Sequence, residues 1–117
     1  MTVRRIVANV AAQSVTAVGN FYADLFGLKV VMDHGWIGTL ASGEQAITQI
    51  SVASEGGSGT PVPDISIEVD DVDSVYARAK AGGHQIAYDL TDEPWGVRRF
   101  YVRDPTGKLL NVLSHRH

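Results

Sequence analysis

The sequence predicts an α+β domain made of two copies of one unit, each a strand, a helix and three further strands. Three observations carry this. Two short strands with alternating apolar residues, "RRIVANV" and "DISIEV", each lead into an amphipathic helix that stops at glycine. Each helix is followed by three short apolar segments broken by turns. Between the halves lies "SEGGSGTPVP", Ser54 to Pro63, the one stretch of linker-like composition.

In the first strand Ile6, Ala8 and Val10 alternate with Arg5, Val7 and Asn9, which gives one apolar and one mixed face. The helix "SVTAVGNFYADLFGL" sets Val15, Val18, Tyr22 and Leu25 on one side. Ser14 or Thr16 caps its start, and Gly27 stands where a left-handed C-terminal cap belongs. The segments "LKVVMD", "GWIGTLA" and "AITQISVA" follow as strands, with a turn at "ASGEQ". In the second half Ile65, Ile67 and Val69 alternate with Asp64, Ser66 and Glu68, and Asp71 is the natural cap of a helix ending at Gly82 or Gly83. Its stripe is Val72, Val75, Tyr76 and Ala79, and Arg78 and Lys80 suit the C-terminal end of the helix dipole. "HQIAYDL", "VRRFYVR" and "KLLNVLS" close the unit, the last two joined by "DPTG", whose Asp, Pro and Gly occupy the positions a type I turn prefers. A unit that cannot bury its own sheet alone calls for its copy.

Composition excludes several classes of function. The 117 residues suffice for one domain with a buried core. The absence of cysteine removes disulfides, thiol nucleophiles and thiolate metal sites. A net charge of −3, from 10 basic and 13 acidic residues without a basic stripe, argues against nucleic acid as a partner. No apolar run is long enough to span a bilayer, so no membrane association is expected and the chain is placed in the cytoplasm. There is no glycine-rich phosphate loop and no nucleophile elbow, and the pair Asp70-Asp71 is explained by helix capping.

The repeat, with "FYADLFGL" ending the first helix, "IEVDDVDSVYARAKAGG" across the second and "PWGVRRFYVRDPTGKLLNVL" closing the chain, resembles the vicinal oxygen chelate superfamily. That superfamily holds glyoxalase I, the extradiol dioxygenases and the fosfomycin- and bleomycin-resistance proteins, and the resemblance covers nearly the whole chain. It implies the fold of two βαββ modules, residues about 2–53 and about 64–117 with a linker at about 54–63, in a curved, cup-shaped mixed sheet with helices outside. It also implies a homodimer around a small organic ligand.

The family's enzymes hold a divalent metal with one side chain on the first strand and one on the last strand of each module, usually histidine or glutamine and glutamate respectively. The matching positions here are Arg5, Gln49, Asp64 and Asn111. Arginine has no lone pair to give, and neutral amides are poor ligands for a divalent ion. The four are therefore expected to form a polar cluster in the vacated metal position, with Arg5 paired to Asp64, and no cofactor is expected. The alternative is a Zn, Mn, Ni or Fe enzyme, a lyase, isomerase or dioxygenase, using Asp64 with unusual amides or with His34.

The remaining candidates belong to the pocket that the resemblance implies. Trp36 and Trp95 either anchor a core or dimer interface or, with Tyr88, Phe100 or Tyr101, wall a site for a flat aromatic ligand, and an arginine of "VRRFYVR", Arg99 among them, is expected to reach a ligand carboxylate or phosphate. Glu68 is the one candidate acid or base, and a strand residue ion-paired to Arg5 or to the neighbouring module is the preferred reading of it. His84, His115 and His117 read as surface residues, whereas His34 lies between strands at the edge of the expected cup. The expectation is thus a metal-free binding protein that sequesters an aromatic or drug-like compound without catalysing a reaction. A non-catalytic interaction module with a filled cup is the other alternative.

Overall fold

The computed structural model describes residues 1–42 and 48–116. The elements are β1 (Val3–Ala11), α1 (Val15–Phe26), β2 (Lys29–Asp33), β3 (Ile37–Ser42), β4 (Thr48–Ala53), β5 (Ile65–Val69), α2 (Val72–Ala81), β6 (Ile86–Asp92), β7 (Val97–Arg103) and β8 (Leu109–His115). Three strands follow each helix, one more than the βαββ shorthand counts. The turn expected at "ASGEQ" falls mostly on residues 43–47, outside the described residues, as does His117.

Local chemistry sets the helix limits. Ser14 caps α1, its side chain accepting from the Ala17 N–H at 3.1 Å, and Asp71 caps α2 by accepting from Ser74 at 3.2 Å. Gly27 ends α1 at φ 68°, left-handed as expected, and its N–H returns to the Ala23 carbonyl. The linker-like stretch is an ordered turn, with Gly56 N–H donating to the Thr60 carbonyl and Thr60 N–H to that of Gly57.

The chain divides into two compact units. One is Val7–Val62; the other is Met1–Ile6 together with the chain from Pro63 onward, so β1 contributes to both. In the Val7–Val62 unit the strand order is β2-β3-β4-β1, with β1 parallel to β4 and the other pairs antiparallel. Helix α1 lies on the face of Gly38, where an added Cβ would meet Val15 Cγ1 at 3.6 Å. The opposite face buries Thr39 and Ser51, cross-strand partners whose hydroxyls are 2.7 Å apart. Val15, Val18 and Tyr22 are half-buried, but Leu25, expected on the same stripe, is exposed together with Phe21 and Phe26.

In the second unit the order is β5-β8-β7-β6, with β5 and β8 parallel and the other pairs antiparallel. Helix α2 covers one face. The core there is Val69, Val72, Ala79, Phe100 and Val112, flanked by Ile67, Tyr76, Ile86, Leu90 and Val102. Because side chains alternate along a strand, the residues between these point to the face that α2 does not cover. They are Ser66 and Glu68 on β5, Asn111, Leu113 and His115 on β8, and Arg99 and Tyr101 on β7.

Candidate functional site

The uncovered face of the β5-β8-β7-β6 sheet gathers most of the candidate residues. Ser66 stands beside Asn111 on the parallel β5–β8 pair, Tyr101 beside Asn111 on β7, and Tyr88 beside Tyr101 on β6. Asn111 Nδ2 donates to Ser66 Oγ at 3.1 Å. One step along the sheet Glu68 bridges two side chains: Arg5 Nε lies 3.1 Å from Oε1, and His115 Nδ1 lies 3.0 Å from Oε2.

At the other end of the face Arg99 and Glu93 form an ion pair, Nη2 to Oε2 2.6 Å, with each side chain only 3% exposed. The turn from β6 to β7 makes this possible. Glu93 N–H donates to the Val97 carbonyl, Gly96 N–H returns to the Glu93 carbonyl, and Gly96 at φ 89° turns the chain. The guanidinium sits 4.9 Å from the ring centres of Trp95 and Tyr101 and 5.3 Å from that of Tyr88. Arg99 also donates to the Tyr101 hydroxyl at 2.9 Å, and the Tyr88 hydroxyl donates to Glu93 at 3.3 Å. Three rings are thus fixed around one neutralised cation. Tyr88 and Trp95 are half-buried, so part of each ring stays accessible.

The expected residues divide accordingly. Trp95, Tyr88, Tyr101, Arg99 and Asn111 share the face, as does Glu68, which is ion-paired to Arg5. Phe100 does not belong to the wall: it is fully buried against α2, 5.1 Å from the Tyr76 ring, because its neighbours Arg99 and Tyr101 take the other side of the strand. The expected pair of Arg5 with Asp64 is replaced by Arg5 with Glu68. Asp64 is exposed just before β5, where its carboxylate accepts from the Leu109 N–H at 2.8 Å while its own N–H donates to the Leu109 carbonyl. The register explains the change, since Asn111 faces Ser66, two residues beyond Asp64. Trp36, His34 and Gln49 lie in the Val7–Val62 unit, Trp36 stacked on exposed His34 at 6.3 Å between ring centres.

Sequence reasoning missed Glu93, Ser66 and the role of His115. Glu93 sits in a turn where periodicity is silent, and the one available hint was that an inward arginine needs an anion. The Ser66 position follows from strand register, which no single strand reveals.

A divalent metal would find a poor donor set here. The groups around Asn111 are a neutral amide and a hydroxyl, and both oxygens of Glu68 are engaged by Arg5 and His115. Among the described residues no three His, Cys, Asp or Glu side chains converge as ligands.

Two modules of one strand, one helix and three strands, each mixed sheet with a helix on one face only, define a repeat fold whose polar chemistry lies on the helix-free face. The profile of the Glyoxalase/Bleomycin resistance protein/Dioxygenase superfamily matches residues 6–112, and the chain belongs to that superfamily. No curated protein sequence matches the chain. Among solved structures it resembles a methylmalonyl-CoA epimerase of Streptomyces coelicolor, with TM-score 0.72 and 17% identity over 99% of this chain and 100% of the other. An NAD-dependent benzaldehyde dehydrogenase of Legionella pneumophila gives 0.76 and 13% over 95% and 99%. A Mn(II)-bound glyoxalase of Novosphingobium aromaticivorans gives 0.61 and 23% over 96% of this chain and 38% of that one. At such identities the likeness speaks for the fold alone. Among the described residues no helix is long and apolar enough to cross a membrane.

Proposed function

We propose that the chain is a metal-free small-molecule-binding protein of the glyoxalase/bleomycin resistance type, which sequesters an aromatic compound in the cytoplasm as a homodimer. The observation that carries the reading is the Arg99 cage. A buried ion pair holds Tyr88, Trp95 and Tyr101 in fixed orientations beside the polar pair Ser66 and Asn111. Rigid rings next to a few placed polar groups are the usual ingredients of a small-molecule site. Apolar ligand surface removed from water there is worth roughly 25 cal/mol per Å². The small ligands in related structures, methylmalonyl-CoA among them, agree with a binding role for the fold.

The rival is a divalent-metal lyase, isomerase or dioxygenase, the activity suggested by the Mn(II)-bound glyoxalase. It would need Asp64, whose carboxylate is committed to the β8 backbone, or His34. Two measurements test the proposal. A thermal-shift screen of aromatic compounds is expected to find stabilising ligands, since saturation at 100 times Kd adds about 2.7 kcal/mol. Metal analysis of protein purified without chelator is expected to give far less than one ion per chain. Stoichiometric Zn, Mn, Ni or Fe that disappears in Asp64→Ala would overturn the reading, and a screen without hits would favour the interaction module with a filled cup.

A further inference from the structure

We infer that this face takes an uncharged aromatic molecule and receives its hydrogen-bond donor at the side-chain carbonyl of Asn111, which rests on the small-molecule reading above and names the ligand class. The first observation is the amide itself. Asn111 is 8% exposed and gives its N–H to Ser66, and no donor among the described residues reaches its Oδ1. Buried carbonyls almost always have a donor, because one without it has lost its water and gained nothing. Around Asn111 the strand N–H groups serve the β5–β8 and β7–β8 ladders, so among the described residues no backbone donor is left for Oδ1, and a ligand can supply one.

The second observation is charge. Both cations of the face already have anions, Arg5 with Glu68 at 3.1 Å and Arg99 with Glu93 at 2.6 Å. An anionic ligand could reach either arginine only by displacing a carboxylate from its partner, and for Glu93 that would strand a buried charge. A cationic ligand would meet a Glu68 already shared by Arg5 and His115. Neither sign is favoured. The third observation is the wall: Tyr101 stands beside Asn111 across β7–β8 and Tyr88 beside Tyr101, their ring centres 5.3 Å apart. A flat ring laid on these tyrosines brings a hydroxyl or N–H on its edge toward the amide oxygen.

The test compares naphthol, its methyl ether and naphthoate, three probes of one ring system that carry a donor, no donor and a negative charge. Titration calorimetry on the wild-type protein is expected to give a Kd for naphthol about tenfold or more below those of the other two. Asn111→Leu should bind naphthol and the ether alike, whereas Asn111→Asp, which keeps an acceptor, should restore the preference for naphthol. Equal binding of naphthol and ether by the wild type, or a preference for the ether or for naphthoate, would overturn the ligand class while leaving the small-molecule reading in place. Binding of none of the three would remove that reading and this inference together.

Discussion

At the scale of single residues, Arg99 and Glu93 are the pair on which the face depends. Each is almost fully buried, so removing one leaves the other charged without its counter-ion. Arg99→Met is expected to cost about 3–5 kcal/mol in urea unfolding, while the double change with Glu93→Leu should recover most of it, because matched apolar groups leave no stranded charge. Asp104, in the "DPTG" turn, shows the opposite regime, that of an exposed charge. Its carboxyl is held below the usual range first by the Thr106 hydroxyl and then by the N–H groups of Lys108 and Thr106. A depressed native pKa means that the ionised turn contributes stability above the ordinary carboxylate value of about 4 and loses it as pH falls through the lower native value. Asp104→Ala should therefore melt earlier than wild type at pH 7, and the gap should narrow in scans run progressively below about pH 4.

The elements explain which residues the sequence could identify. Alternation along "VRRFYVR" separates Arg99 and Tyr101 from Phe100, and the structure keeps that separation. It cannot say which side α2 will cover, and this is why Phe100 belongs to the core. Caps were legible because they are local: Ser14, Gly27 and Asp71 act within four residues of their own positions. Gly27 offers a clean check. It holds φ 68° with no atom within 4 Å of an added Cβ, so Gly27→Ala meets backbone strain alone and should lower stability by about 1 kcal/mol. Register was not legible. Whether Asn111 faces Asp64 or Ser66 depends on how β5 slides along β8, a contact across 45 residues of sequence, and a two-residue shift keeps the same face.

For the whole molecule, the exposed apolar side chains of α1 and β2 are the feature the sequence pattern hid. Phe21, Leu25, Phe26, Val30 and Val31 all lie open in the Val7–Val62 unit, and α1 has no fully buried residue. Exposed apolar side chains of this kind suit an interface, and a second copy is the partner that the proposed homodimer supplies. Light scattering after size exclusion should find a dimer at micromolar concentration, and Phe26→Glu should move it to monomer with the fold intact by circular dichroism. A wild-type monomer at every concentration would remove the dimer from the proposal.

The first six residues belong with the second half of the chain. Thr2 N–H donates to the Asp70 carboxylate at 2.8 Å, Asp70 N–H returns to the Thr2 carbonyl, and Arg5 waits for Glu68. These residues leave the ribosome more than sixty residues ahead of their partners, so the segment stays unpaired while Val7–Val62 is already complete enough to collapse. A strand left open that long is vulnerable to neighbouring chains on the same polysome, and its long-range closure is a natural slow step of folding.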